Sequence, residues 1–191
     1  MKLKICGLQT LHDIDCVNKG AVDYAGFVFT PHRQRISVET ARILKSALNP
    51  QIPSVGVFID ESYDFIRDIV DEGLIDLVQF HGDAEYSMPC PTIKAFRMQT
   101  QADIKPTNCD FVLFDSFSKN TRGSTGGMFN WRLIEGYRGK PFFLAGGIDI
   151  SNITQAMAFN PYCIDISSGV EDNGEKSFEK IMEVAHECKI W

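Results

Sequence analysis

Leu144-Ala-Gly-Gly-Ile148 and Cys163-Ile-Asp-Ile-Ser-Ser-Gly-Val-Glu171 decide how this chain is read. Each is a short apolar run that breaks into small residues, the pattern of a buried strand whose carboxyl end opens into a tight turn before a helix. Two such turns in succession make a phosphate cradle. Glycine lets backbone N–H groups approach an anion closely, and the start of a helix adds unpaired donors and the positive end of its dipole. In an eight-fold β/α barrel the loops after strands 7 and 8 are the usual phosphate site. That placement requires six strand and helix units before residue 141.

The chain supplies them. Leu3 to Gly7 is a strand, followed by helical spacing from Thr10 to Lys19 that Gly20 stops. Ala25 to Phe29 is a second strand, and Ser37 caps a helix closed by Asn49-Pro50. Ser54 to Ile59 with the helix from Glu61 to Glu72 is a third unit. Asp76 to His81 is a fourth strand, whose helix after Gly82 must be short because Met88-Pro-Cys-Pro91 breaks it. Thr92 to Arg97 is a fifth, with a weak helical segment from Gln99 to Ile104. Asp110 to Asp115 is a sixth, its helix expected from about Asn130 to Tyr137. Pro141 to Gly147 with Ser151 to Phe159, then Cys163 to Ser168 with Ser177 to Lys189, complete the count. Apolar runs of this kind suit strands buried on both faces. The expected architecture is a single, compact (β/α)8 TIM barrel over residues 1–191, with a doubly wound open sheet as the alternative.

Composition bounds the function. A chain of 191 residues, 44% hydrophobic and 23% charged, can bury one good core. Its net charge of −6, without a basic block, argues against nucleic acid as a partner. A small phosphorylated substrate is compatible, because local amides and one or two arginines can hold it. Cys6, Cys16, Cys90, Cys109, Cys163 and Cys188 are scattered without C-x-x-C spacing, which fits reduced thiols. The first strand starts almost at Met1, and no apolar run approaches membrane-spanning length, so a cytoplasmic location is expected, with no membrane partner. Monomer and homodimer both stay open.

In such a barrel the chemistry sits where the apolar runs end. Strand 1 ends in Cys6-Gly7, strand 2 leads to Thr30-Pro-His-Arg-Gln-Arg35, strand 4 ends in His81-Gly82 and strand 6 in Asp115-Ser116. No strand end gathers the His and carboxylate ligands of a metal site, and none places a lysine for Schiff-base chemistry. One thiol and one carboxylate are left. That pair suits proton transfer without a cofactor.

Lys4-Ile-Cys-Gly7, Gly26-Phe-Val-Phe29, Val55-Gly-Val-Phe58, Val78-Gln-Phe-His-Gly82, Phe114-Asp-Ser116, Gly123-Ser-Thr-Gly-Gly-Met-Phe-Asn-Trp131, Leu144 to Ile148 and Asp165 to Glu171 together resemble phosphoribosylanthranilate isomerases, in that order along essentially the whole chain. The resemblance implies the Amadori rearrangement of tryptophan biosynthesis, from N-(5′-phosphoribosyl)anthranilate to 1-(2-carboxyphenylamino)-1-deoxyribulose 5-phosphate. It implies Asp115 as the general acid that opens the ring and Cys6 as the general base at C2′. The first must hold a proton near neutral pH, and the second needs thiolate character against an ordinary thiol pKa of about 8.5. By the same resemblance Arg35 binds the anthranilate carboxylate, His81 and Asp165 contact the sugar, and Gly146, Gly147, Ser168 and Gly169 hold the phosphate.

The loop before Ser37 departs from the family pattern. It reads Arg33-Gln-Arg35 where Ser-Pro-Arg or Ser-Lys-Arg is usual, and it is one residue shorter, so Arg33 stands as a second candidate for the carboxylate. Gly123 to Gly127 is expected to form a lid, with Trp131 packing at its return. Two other readings stand beside the isomerase. Another phosphate-binding barrel enzyme would show a catalytic lysine with glutamates, or an aspartate pair on strands 1 and 5, where this chain has Cys6 on strand 1. A catalytically silent barrel would have lost Cys6 or Asp115, and both are present.

Overall fold

Strands that bury every residue need cover on both faces, and β2 (Tyr24–Val28), β3 (Ser54–Phe58), β4 (Leu77–Phe80), β7 (Phe142–Leu144) and β8 (Cys163–Ile166) do so throughout. The computed structural model, which describes residues 1–116 and 130–190, satisfies them by closure. Together with β1 (Lys2–Cys6), β5 (Thr92–Met98) and β6 (Phe111–Ser116), they form a closed parallel barrel in chain order. The closing seam joins the two ends of the sequence, with Lys4 opposite Asp165.

The connections follow local chemistry. Thr10 caps α1 (Leu11–Lys19): its side chain accepts from Asp13 N while the Asp13 carboxylate accepts from Thr10 N. Ser37 caps α2 (Val38–Ala47) and Ser62 caps α3 (Tyr63–Asp71). The helix expected after Gly82 does not form. Residues 81–91 run as an irregular loop, since Pro89 and Pro91 have no N–H to give a helix. After β5 and β6 the expected helices shrink to single 3-10 turns, Gln101–Asp103 and Trp131–Ile134. The seventh unit keeps a short α4 (Ile153–Met157) inside the expected Ser151 to Phe159. Before the terminal helix α5 (Phe178–Ile190) there is an unexpected hairpin of β9 (Glu171–Asp172) and β10 (Glu175–Lys176). Asn173 and Gly174 turn it at φ 52° and 91°, as a two-residue hairpin demands. The lid expected at Gly123 to Gly127 lies outside the described residues.

Two cores result. The outer one fills the space between sheet and helices, with Leu3, Ile5, Phe27, Phe114, Ile164 and Val184 among its members. The inner one lies inside the barrel and is built from alternate strand positions such as Val55, Leu77, Ile93, Leu113, Phe143 and Cys163. Register carries that inward set around the barrel, from Val55 opposite Leu77 to Phe143 opposite Cys163.

Above these apolar side chains sits a buried ion pair. Lys4, with 0% exposure, donates to Asp165 at 2.7 Å and to Gln79 Oε1 at 2.9 Å. Burial by itself lowers the pKa of an ammonium; the Asp165 charge outweighs it, and Lys4 is held firmly protonated. A charge at this depth is tolerated only while paired. Replacing Lys4 by Met should therefore cost about 3–5 kcal/mol of unfolding free energy. Urea denaturation measures it, and the double variant Lys4→Met/Asp165→Leu should recover much of the loss, because the uncompensated carboxylate is gone.

Candidate active site

The carboxyl end of the barrel holds one deep cavity. Cys6 enters it from β1, Asp115 from β6, Asp165 from β8, and His81 from the residue after β4. Gly146 and Gly147 after β7, and Ser168 and Gly169 after β8, line the same cavity. Eight of the nine site residues expected from sequence thus share one space.

Close backbone contact builds the cradle. Gly146 has φ +88°, and a β-carbon there would lie 2.6 Å from Ser116 N and 2.9 Å from Asp115 Oδ1. A β-carbon on Gly169 would lie 2.0 Å from Ile148 O, so the two turns pack directly on each other. Asn152 Nδ2 donates to Gly147 O at 2.8 Å and pins the first turn. The second turn continues as the 3-10 segment Ser168–Val170 and then the hairpin. Its amides therefore do not come from the start of the long terminal helix, as the sequence suggested. Gly26 plays a comparable part for the thiol, since a β-carbon there would lie 2.7 Å from Cys6 Sγ.

Burial treats the two proton-transfer candidates alike in direction. It pushes the Asp115 carboxyl up to about 6, and the neighbouring Asp165 charge adds to the rise. Ser116 N, donating to Asp115 Oδ1 at 2.7 Å, and the Arg97 charge work against it. At pH 7 a carboxyl of pKa 6 is about 10% protonated, against about 0.1% for an ordinary aspartate. Burial also raises the Cys6 thiol, opposed by the Lys4 ammonium. The resting form is the thiol, so the thiolate character that the sequence argument asked for is not supplied by burial.

A directed hydrogen-bond relay crosses the floor of the cavity. Gln79 Oε1 is taken by Lys4, so its amide N–H donates to His81 Nε2 at 2.6 Å. This network assigns the His81 proton to Nδ1. Burial, with the Lys4 and Arg97 charges, holds the ring pKa down to about 3, and His81 is neutral. Asp165 Oδ1 is buried without a hydrogen-bond partner among the described residues.

The arginine loop is arranged differently from the expectation. Neither Arg35 nor Arg33 lines the cavity. Arg35 Nε donates to Phe29 O at 3.0 Å on an exposed side chain, and Arg33 pairs with Glu171 at 2.8 Å. Gln34 between them turns inward instead. Its amide donates to Glu171 at 2.6 Å, accepts from Ser167 Oγ at 3.0 Å and covers Gly7. His32 lines the cavity too, its Nδ1 accepting from Gln34 N at 3.2 Å. Lys4 and Gln79 share strand parity with Cys6 and His81, so polar residues inside apolar runs gave a signal for them; nothing in the loop sequence singled out Gln34.

A closed barrel with its polar end cradled by the turns after strands 7 and 8 places the chain among the phosphate-binding β/α-barrel enzymes. Comparison with known proteins narrows that class. Residues 3–187 match the family model of N-(5′-phosphoribosyl)anthranilate (PRA) isomerase. The N-(5′-phosphoribosyl)anthranilate isomerase of Endomicrobium trichonymphae is 42% identical over 191 residues, covering 95% of each chain. The crystal structure of phosphoribosyl anthranilate isomerase from Thermus thermophilus superposes with a TM-score of 0.87 at 28% identity, over 100% of this chain and 99% of that one. A phosphoribosyl anthranilate isomerase in complex with reduced 1-(o-carboxyphenylamino)-1-deoxyribulose 5-phosphate superposes at 0.84 with 27% identity, over 100% of both chains. The chain belongs to the N-(5′-phosphoribosyl)anthranilate isomerase family, whose reaction is a step of tryptophan biosynthesis. No helix among the described residues is long and apolar enough to cross a membrane.

The cradle makes a direct demand on Gly146. Alanine there meets both a positive φ and the Asp115 carboxylate, so Gly146→Ala should destabilise the fold by more than about 1 kcal/mol. It should also lower kcat/KM on phosphoribosylanthranilate by about a hundredfold, through displacement of Asp115 and of the turn that lines the cavity. Thermal unfolding and steady-state kinetics read the two effects separately.

Proposed function

We propose that this chain isomerises N-(5′-phosphoribosyl)anthranilate with Asp115 as general acid and Cys6 as general base. The observation that carries the reading is the meeting, in one cavity, of both glycine turns with a carboxyl whose pKa is pushed up to about 6 and a thiol on the strand opposite. The phosphate sits on the amides of Gly146, Gly147, Ser168 and Gly169, with the Ser168 hydroxyl as a further donor. Asp165 Oδ1, buried and unpartnered, suits a sugar hydroxyl, as does the Nδ1–H of neutral His81. Arg35, whose loop runs from Phe29 beside the cavity residues Thr30 and His32, takes the anthranilate carboxylate. The relative crystallised with a reduced product analogue contains a ligand with this phosphate and this carboxylate.

The chemistry then needs two proton movements. Asp115 gives its proton to the furanose oxygen as the C1′–O bond breaks, and the nitrogen lone pair forms the C1′=N bond of a cationic Schiff base. Cys6 acts from its minor thiolate fraction, the thiol proton having passed to solvent before the step, and both the Lys4 field and that positive charge favour this form. Cys6 takes the C2′ proton and leaves a neutral enolamine, which tautomerises to the ketone. No electron donor or acceptor enters the balance.

The test follows the decay of anthranilate-type fluorescence on freshly generated phosphoribosylanthranilate. Cys6→Ala and Asp115→Ala should each lower kcat by about 10²–10⁴-fold, the usual weight of a general acid or base. Arg35→Ala should act mainly on KM. A folded parent protein without turnover would defeat the assignment, and full activity in either of the first two variants would defeat that residue's role.

A further inference from the structure

Arg97 has no part in the mechanism above. It stands on β5 in register with Asp115 on β6, so the two side chains leave the sheet on the same face, on strands about 4.8 Å apart. Its Nη2 is buried and has no hydrogen-bond partner among the described residues. It lines an open basin that adjoins the reaction cavity and shares Ile59 and His81 with it. The neighbouring Lys94 in that basin is engaged by Gly82 O at 2.7 Å and by Asp83 O at 3.3 Å. Arg97 therefore brings to the carboxyl end of the barrel a permanent cation with a donor still unspent. A buried donor without an acceptor is destabilising, and such a group is expected where a later state of the site uses it.

Charge accounting identifies that state. When Asp115 protonates the ring oxygen, its O–H bond breaks and a carboxylate is left in a buried position. Among the described residues, the titratable and charged groups around it are Asp165 from β8, Lys4 and Cys6 from β1, His32 from the loop after β2, His81 after β4 and Arg97 from β5. Lys4 is committed to Asp165 and Gln79, His81 is neutral, burial and the Arg33 charge lower the pKa of His32, and Asp165 and a thiolate at Cys6 repel a new anion. We infer that Arg97 is a positioning residue that acts through Asp115, its guanidinium holding the carboxylate formed when Asp115 has delivered its proton. The inference rests on the reading of Asp115 as the acid. It sets Arg97 apart from substrate-carboxylate recognition, which belongs to the arginine loop.

The sign of the effect is fixed. A cation beside a carboxyl lowers its pKa, so Arg97 opposes the rise that burial causes. Asp115 works protonated and Cys6 works as a thiolate of higher pKa, so kcat/KM rises through the Asp115 pKa, is level between the two pKa values and falls above that of Cys6. Removing the cation raises the Asp115 pKa and moves the rising limb to higher pH.

The experiment records kcat/KM against pH for the parent, Arg97→Gln, Arg97→Lys and Asp115→Asn, with circular dichroism to establish folding. In Arg97→Gln the acid limb should move up by about one pH unit. Arg97→Lys should return the limb towards the parent position. A folded Arg97→Gln whose acid limb coincides with the parent's overturns the inference. If it does not fold, Arg97→Met, closer in shape, is measured against the same two outcomes. Asp115→Asn separates the two claims: a variant that keeps the parent's acid limb removes Asp115 as the acid and both claims fall. Loss of that limb together with an unmoved limb in Arg97→Gln removes Arg97 alone.

Discussion

One buried ammonium organises the polar half of the barrel. Lys4 sits with no exposure above an apolar interior, and its donors are taken by Asp165 and Gln79 from two other strands. Because Gln79 must present its oxygen to Lys4, its amide nitrogen faces His81, and the histidine tautomer follows. The same charge offsets part of the burial penalty on the Cys6 thiol one pleat further along β1. The pair also lies on the seam that closes the barrel, where Lys4 and Asp165 stand in register. Fold closure and site electrostatics thus share a single interaction.

Burial acts on the Asp115 carboxyl and the Cys6 thiol in the same direction. In the mechanism we propose it serves them differently: a raised carboxyl pKa keeps a usable fraction of protonated acid near neutral pH, and a raised thiol pKa leaves a minor thiolate fraction that positive charge on the substrate favours. The same proposal puts protonation of the ring oxygen first, because it generates the field that the second step needs. The close approach of Gly146 to Asp115 adds a geometric link, since that glycine turn also sets the place of the carboxyl.

The β2 loop and the hairpin after β8 form a second unit. Glu171 accepts from Arg33, Gln34 and Lys176, and Lys176 also donates to Ser167 O at 3.1 Å. Burial would raise the Glu171 carboxyl, but Lys176 and Arg33 outweigh it and hold it below its ordinary range. Gln34 lies over Gly7, directly after Cys6, and its carboxamide fills the space a side chain at Gly7 would need. Gln34 is therefore matched by an acceptor and a donor on the β8 side, Glu171 and Ser167, and the hairpin ties the loop down through Arg33 and Gln34 on Glu171.

Much of this was legible in the sequence, for physical reasons that differ by residue. Strands buried on both faces must be apolar along their length, so the eight runs and the barrel could be counted. The glycine turns at Gly146 and Ser168 to Gly169 and the strand-end positions of Cys6, His81 and Asp115 followed from the same count. The Asn173-Gly174 hairpin had a local signal that the count passed over. The short segments after β4 and β5 were misjudged in length, because helical spacing in a few residues between prolines cannot nucleate a stable helix, and the one after β6 is stopped by Gly136 at φ 73°. Only the tertiary structure decided which way side chains turn and what burial does to their charges. Lys4 finds its partners 75 and 161 residues away, the arginines of the β2 loop turn outward while Gln34 turns in, and Arg97 comes to stand beside Asp115 through strand register. Local sequence fixes backbone preference and strand parity; pairing, desolvation and the field at a given atom depend on residues distant in the chain, and these exist only once the barrel has closed.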